Sequence, residues 1–150
     1  MNQKMIIHDS QLELFRSPFG AVCCNEEIVL RLRIQGSAEP DQIVLRLWQD
    51  GIGEEKIEME LEEEYDEGGL YQARLNSPSS PGLLWYYFII TMQDQIYYYG
   101  NSPDRLGGMG QLYEVAPPAY QVTIYKEGAI TPSWFKVSII YQIFPDRFYN

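Results

Sequence analysis

Aromatic side chains are the residues of this sequence with the clearest chemical potential. Five of them are candidates for binding a ligand with flat apolar faces: Trp48, Trp85, Tyr86, Tyr97 and Tyr99. Sugar rings present apolar C–H faces that stack on Trp and Tyr, while amides and carboxylates take the sugar hydroxyls. We therefore predict carbohydrate binding by these residues. One alternative stays open, in which most of them lie in the core or are covered by a neighbouring domain.

Carboxylates are the second group, and they are concentrated between residues 54 and 67, where nine acidic residues accompany one lysine. Hydrolysis of a glycosidic bond needs two carboxyl groups, one of them with a raised pKa. From Ile57 to Glu62, however, apolar residues alternate with glutamates, and a period of two is typical of a strand with one wet face. We predict a solvated strand at the edge of a sheet, and no catalytic residue.

The remaining reactive residues specify no site. His8 is the single histidine and has no nucleophile beside it, which predicts a hydrogen-bonding role. Cys23 and Cys24 are adjacent and would point to opposite faces of a strand, so neither a mutual disulfide nor a zinc set is predicted. The glycine-rich loop at residues 107–110 lacks the strand–helix context and the lysine of a phosphate-binding loop.

Length and charge exclude several classes of protein. The chain has 150 residues and a formal net charge of −10. Nucleic acids and anionic membrane surfaces select basic patches, so we expect neither as a partner. The first ten residues lack the apolar region of a signal peptide, and no apolar run reaches membrane-spanning length. These features favour a cytoplasmic location.

The elements that must position the aromatic residues are short strands. Residues 26–34 and 43–48 alternate between apolar and polar, which places Trp48 on the face opposite Leu47. Residues 83–92 are the most apolar stretch and predict a central strand. Residues 96–99 are its expected hairpin partner, and residues 120–125 form the last strand.

Seven or eight short strands without a convincing helix predict an all-β fold, an immunoglobulin-like antiparallel β-sandwich. We assign the sandwich to residues 1–125, a linker to residues 126–136, and one extra strand from a truncated β/α barrel to residues 137–150. Residues 137–144 form a nearly continuous apolar run, as in strands buried on both faces, and Pro145 ends it. Trp134 would wedge the two domains together.

The string IIYQIFPDRFYN at residues 139–150 resembles the first barrel strand and following loop of α-amylase-family glycoside hydrolases. The neopullulanase, cyclomaltodextrinase and amylopullulanase group is the most similar. Four upstream segments resemble the sandwich domain that precedes the barrel in these enzymes: HDS…FRSPFGAV at 8–22, LWYYFI at 84–89, PPAYQVTIY at 117–125 and TPSWFK at 131–136.

The resemblance implies an N-terminal accessory domain of an enzyme that degrades α-glucans such as starch, pullulan, cyclodextrins or maltooligosaccharides. The catalytic residues of such enzymes lie on later barrel strands. Three tasks remain open for this chain: supporting its own catalytic barrel, binding glucan, or mediating homodimerisation. By resemblance Asp146 and Arg147 support the barrel rim, and Asn150 opens a calcium-binding loop of the parent enzyme. No cofactor is expected in the fragment itself.

The rival hypothesis is a free-standing carbohydrate-binding or protein-interaction module. The apolar run at residues 137–144 discriminates between the two, because an independent module has no use for a doubly buried strand. We expect this run to lie against apolar surface, either on its own sandwich or on the sheet edge of another copy.

Overall fold

The computed structural model describes residues 5–36 and 39–142, and about half of these residues lie in strands. In chain order the elements are β1 Met5–Ile7, β2 Arg16–Ser17, β3 Val22–Cys23, β4 Glu27–Gln35, β5 Gln42–Gln49, β6 Gly53–Glu58, β7 Glu60–Tyr65, β8 Gly68–Asn76, β9 Gly82–Met92, β10 Gln95–Gly100, β11 Gln111–Tyr113, β12 Tyr120–Tyr125 and the single-turn helix α1 Ser133–Lys136.

The described strands form two sheets. The smaller sheet has the order β1-β4-β8-β7, and β2 also pairs with β4. The larger sheet has the order β11-β10-β9-β12-β3, while β5 pairs with β9 and carries β6 at its other side. Neighbouring strands are antiparallel except β12 and β3. The predicted all-β, immunoglobulin-like sandwich is confirmed.

The core lies between the inner faces of the two sheets, where side chains recur with a period of two. On β4 the inner residues are Ile28, Leu30, Leu32 and Ile34, and on β5 they are Ile43, Leu45 and Leu47. These are the residues that the alternation predicts, because successive strand residues point to opposite faces.

The acidic stretch differs from prediction in one respect. It forms two strands that belong to different sheets, and the chain crosses between the sheets at Met59. The Met59 side chain is buried, and its backbone N–H donates to the Ile43 carbonyl at 2.8 Å. The prediction of a single strand is therefore wrong, because the buried Met59 anchors a crossing from one sheet to the other. The expected edge position is correct for both halves.

Strand β9 is central, as predicted, and pairs with three strands of the larger sheet. Its hairpin with β10 turns at Gln93 and Asp94, whose φ values of 51° and 61° are both left-handed. Two successive left-handed residues match the right-handed twist of the flanking strands. This hairpin fixes the register that decides which aromatic residues of β9 and β10 face outward.

The segment after β12 corrects one expectation. Val137, Ile139, Ile140 and Tyr141 are 71–87% exposed, and residues 137–142 pair with no strand of the described chain. Residues 137–142, the described part of the run, therefore do not fold back on the sandwich, since a segment becomes a strand only beside a partner that completes its hydrogen bonds. Pairing with another copy stays a prediction, as do the assignments of linker and barrel strand.

Candidate functional site

Trp48 and Trp85 form the centre of the candidate site on the outer face of the larger sheet. They lie directly opposite each other on β5 and β9. The alternation that buries Leu47 and Tyr86 turns both indoles outward. Trp48 is 38% exposed, and its Nε1–H donates to Asp50 Oδ1 at 3.1 Å. Two indoles on one flat face can stack on the apolar side of a sugar.

Arg46 organises the rings around this pair. Its guanidinium carbon lies 5.5 Å from the centre of the Trp48 ring and 5.1 Å from that of Tyr87. Tyr87 in turn meets Tyr98 edge to face, with ring centres 6.2 Å apart. We call the four outward rings, Trp48, Trp85, Tyr87 and Tyr98, the aromatic face. A cation over aromatic rings is attracted by their negative faces and holds them in place.

A carboxylate closes the polar side of the aromatic face. Arg46 Nη2 lies 3.6 Å from Glu54 Oε2, and Lys56 Nζ lies 3.2 Å from Glu54 Oε1. The hydrogen bond from Lys56, followed by the charges of Lys56 and Arg46, holds the pKa of Glu54 below its usual value. Glu54 is therefore ionised at neutral pH and can accept hydrogen bonds from hydroxyl groups.

Three predicted binding residues lie elsewhere. Tyr86 and Tyr99 are 0% and 1% exposed and belong to the core, so their assignment to a sugar-binding surface is wrong. The reason is register: both sit at inward positions of their strands. Tyr97 is partly buried against the same core, and its hydroxyl donates to Gln95 Oε1 at 2.6 Å.

Sequence reasoning missed Tyr87, Tyr98 and Arg46. Tyr87 follows once Trp85 is known to face outward, because a residue two positions further along a strand lies on the same face. Tyr98 follows from its pairing opposite Ile89, once the hairpin register is known. Arg46 precedes Trp48 by two residues and shares its face for the same reason.

The buried tyrosines surround His8, which confirms its predicted hydrogen-bonding role. His8 is 0% exposed, its Nδ1–H donates to the Arg31 carbonyl at 2.7 Å, and its Nε2 accepts from the Tyr86 hydroxyl at 2.9 Å. Burial lowers the pKa of His8 to about 3. The imidazole is therefore neutral at physiological pH, and it ties β1 to the centre of the larger sheet.

Two carboxyl groups of the acidic edge, those of Glu54 and Glu62, have pKa values below the usual value. Hydrogen bonds from Arg31 to Glu62, at 2.5 and 3.0 Å, lower the pKa of that carboxyl group. The pKa of Glu54 is lowered too. A general acid of a glycosidase needs the opposite shift. These carboxylates stabilise a solvated edge, as the alternation predicted.

A cleft of about 380 Å³ adjoins the aromatic face at Trp85. Loops around Phe19, Asn101 and Leu106 form its walls, and Arg16 and Gln121 also line it. This volume lies at the lower end of the range typical of small-molecule sites. The larger sheet therefore offers an aromatic face and a neighbouring, partly open cleft, and Trp85 belongs to both.

The barrel-rim residues Asp146 and Arg147 and the calcium candidate Asn150 lie outside the described residues. Within residues 5–36 and 39–142, no group of three or more His, Cys, Asp or Glu side chains could hold a metal ion. In the same part of the chain, no helix is long and apolar enough to cross a membrane. Calcium binding by the parent enzyme stays a prediction.

The described architecture defines an immunoglobulin-like β-sandwich with an aromatic outer face. The fold has a counterpart in a cyclomaltodextrinase, with a TM-score of 0.57 and 8% identity over 78% of this chain and 19% of that one. At this identity the likeness shows the fold alone. No family model matches the sequence.

Relatives of known name place the chain more closely. It is 34% identical over 146 residues to an amylopullulanase of Thermoanaerobacterium thermosulfurigenes and 33% identical over 150 residues to one of Thermoanaerobacter thermohydrosulfuricus. An amylopullulanase of Thermoanaerobacterium saccharolyticum is 32% identical over 146 residues. Each match covers 95% of this chain but only 8–11% of the relative.

The chain is thus homologous to a segment of amylopullulanases and spans about a tenth of their length. Its sequence and fold fit the N-terminal sandwich domain of an α-amylase-family enzyme. The resemblance predicted from the motifs is confirmed.

Proposed function

We propose that this chain is the N-terminal accessory domain of an α-glucan-degrading glycoside hydrolase, and that it binds glucan weakly through its aromatic face. Homology to amylopullulanases supports the parent class. The single observation that carries the binding role is the outward pair Trp48 and Trp85, side by side on adjacent strands. Starch, pullulan, cyclodextrins and maltooligosaccharides are the substrates proposed for the parent enzyme.

The two outer faces of the sandwich differ in a way that supports this role. On the smaller sheet the outward residues form ion pairs, such as Arg31 with Glu62 and Arg74 with Glu27, which suits contact with water. On the larger sheet the Arg46–Glu54 ion pair is accompanied by four outward aromatic rings, those of Trp48, Trp85, Tyr87 and Tyr98. Exposed apolar patches on soluble domains mark binding surfaces. The larger sheet is therefore the face that receives a ligand.

Hydrogen bonding would orient a sugar on this face. Asp50 Oδ1 already accepts from the Trp48 indole, which fixes the plane of that ring. The ionised Glu54 beside Arg46 provides acceptors for hydroxyl groups at the rim. Two stacking positions and few polar contacts support an affinity in the millimolar range, roughly 4 kcal/mol of binding free energy.

Titration calorimetry with maltotriose and β-cyclodextrin tests the proposal. We expect saturable millimolar binding that Trp48→Ala weakens at least about tenfold, with an unchanged melting temperature because the indole is on the surface. Trp134→Ala is the matched control, since this tryptophan is exposed on α1 and is not one of the rings of the aromatic face. Equal losses in both variants, or no heat with wild type, would refute glucan binding at this face.

A second role, contact with a protein surface, is favoured by the segment after β12. Trp134, Val137 and Ile139 are 68–86% exposed. Covering apolar groups this exposed with another surface lowers the free energy. The proposed partners are the enzyme's own barrel or a second copy. Light scattering of the chain with and without residues 134–150 tests the second copy: we expect a dimer or larger species that shortening abolishes. A monomer in both cases leaves the barrel as the proposed partner.

A further inference from the structure

Arg16 is a buried cation that has no counter-charge among the residues that the structure describes. Arg31, Arg46 and Arg74 each pair with a glutamate. Arg16 is only 9% exposed, yet no carboxylate oxygen of the described residues lies within 4.0 Å of its guanidinium. In a chain with 21 acidic and 11 basic residues, the lack of a partner for this arginine needs a physical reason.

The guanidinium is held by neutral acceptors. Its Nη1 donates to the Gln121 carbonyl at 3.0 Å and its Nη2 to the Gly20 carbonyl at 2.8 Å. The Tyr86 hydroxyl is a further neutral neighbour of the side chain, and the buried Nε–H makes no hydrogen bond of normal geometry among the described residues. Neutral acceptors orient a guanidinium but do not neutralise it, and burying an uncompensated charge costs several kcal/mol per ion. Arg16 is therefore fixed in place while its charge remains uncompensated.

The cleft that Arg16 lines contains a second arginine and, among the described residues, no acidic one. Arg105 lies on its wall with a left-handed φ of 61°, an uncommon conformation for a residue other than glycine. Three other cavities are lined by glutamates, two of them around residues 61–68 and one around residues 47–55. In a strongly acidic protein, a cleft of this kind lets an anion meet cations without repulsion.

The glycine-rich loop beside the cleft does not supply the anion's ligands. The Gly107 N–H donates to Asn101 Oδ1 at 3.1 Å, and the Gly108 N–H donates to Ser10 Oγ at 2.9 Å. These amides are already used within the fold. The loop instead shapes the wall, and the charged groups available to a ligand are the two guanidinium groups.

We propose that this cleft binds an oxyanion, a phosphate or carboxylate group, between Arg16 and Arg105. Guanidinium groups bind such groups through paired, charge-assisted hydrogen bonds. Trp85 forms a neighbouring wall on which a ring attached to the anion can stack. The site is independent of the glucan proposal, because a neutral sugar would not compensate the charge of Arg16.

Nuclear magnetic resonance of the arginine Nε–H groups tests the site. Inorganic phosphate is added while sodium chloride is reduced to keep the ionic strength constant. The chemical shift of the Arg16 Nε–H signal should change with phosphate concentration and saturate, with a dissociation constant in the millimolar range. Sodium acetate in a parallel titration distinguishes phosphate from carboxylate preference. Glucose and glucose 6-phosphate form the second pair of probes: the phosphate ester should shift the signal, and glucose should not. An unmoved signal with every anion, or an equal response to glucose, would overturn the proposal.

Substitutions provide a second readout that does not depend on the buried residue. Arg105→Asn removes a charge but suits the left-handed backbone, and should weaken phosphate binding about threefold. Arg74→Gln is the matched control, because this arginine is exposed, pairs with Glu27 and does not line the cleft, and it should leave binding unchanged. Equal weakening in both variants would show a non-specific charge effect and contradict the site.

Discussion

The pH dependence of stability tests the buried cluster around His8. The imidazole is fully buried, with its Nδ1–H donated to the Arg31 carbonyl and its Nε2 accepting from Tyr86. Burial lowers its pKa from 6.5 to about 3. The unfolded chain therefore binds a proton at a higher pH than the folded chain does. The contribution of neutral His8 to the unfolding free energy is fully present above pH 6.5 and is lost progressively as the pH falls toward 3.

The magnitude follows from the gap between the two pKa values. Each pH unit between them costs up to about 1.4 kcal/mol of unfolding free energy. At pH 5 the loss attributable to His8 is about 2 kcal/mol. His8 is the chain's only histidine, so this interval contains no other side chain with an unperturbed pKa near 6.5.

Urea unfolding followed by tryptophan fluorescence at pH 7.5, 6.5, 5.5 and 5.0 measures this loss. His8→Gln is the matched control, because glutamine keeps polar groups at the site and does not titrate. The variant should be less stable at pH 7.5, and the difference from wild type should shrink by about 2 kcal/mol at pH 5. Titration of the carboxyl groups changes the unfolding free energy of both proteins equally, so its effect cancels in the difference between them.

Parallel curves for the two proteins across this range would refute the reasoning. They would show that the imidazole takes up a proton as readily in the folded chain as in the unfolded one. The hydrogen bond from Tyr86 to Nε2 would then be absent, since a protonated ring has no acceptor nitrogen.

Two further predictions concern catalysis and backbone packing. The chain alone should release no reducing ends from soluble starch or pullulan, since the carboxyl groups of Glu54 and Glu62 have lowered rather than raised pKa values; turnover that follows the protein peak on repurification would contradict this. Gly110→Ala should destabilise the fold by several kcal/mol, because its Cβ would lie 2.1 Å from the Gly100 carbonyl oxygen and 2.2 Å from the Tyr120 hydroxyl. Gly51→Ala should cost less, because no described atom lies within 4 Å of the added Cβ. Equal melting temperatures for the two variants would contradict the packing around Gly110.

Strand positions were predictable wherever one face of a strand is wet. The alternation at residues 26–34 and 43–48 identified both the strands and their inner faces, because burial of one face imposes a period of two on the sequence. Met59 was not recognised as a crossing point. Its position continues the same alternation, so only the pairing of β6 and β7 with different sheets reveals it.

The binding surface was predictable only in part. Trp48 lies on the outward face, as the alternation predicts, and the candidate Trp85 faces outward beside it, whereas the candidates Tyr86 and Tyr99 are buried in the core. Strand β9 is apolar on both faces, so its sequence alone does not distinguish the inner residues from the outer ones. The cleft at Arg16 was not predicted either, because it joins loops far apart in the sequence.

The indole N–H signals of the tryptophans test glucan binding by the aromatic face most directly. The chain has three tryptophans, each of which gives a separate indole resonance in a nitrogen–proton spectrum. During a titration with maltotriose, the signals of Trp48 and Trp85 should shift together along one saturable curve, while Trp134 stays unmoved. A titration in which Trp134 responds alone, or in which no indole responds, would contradict the account.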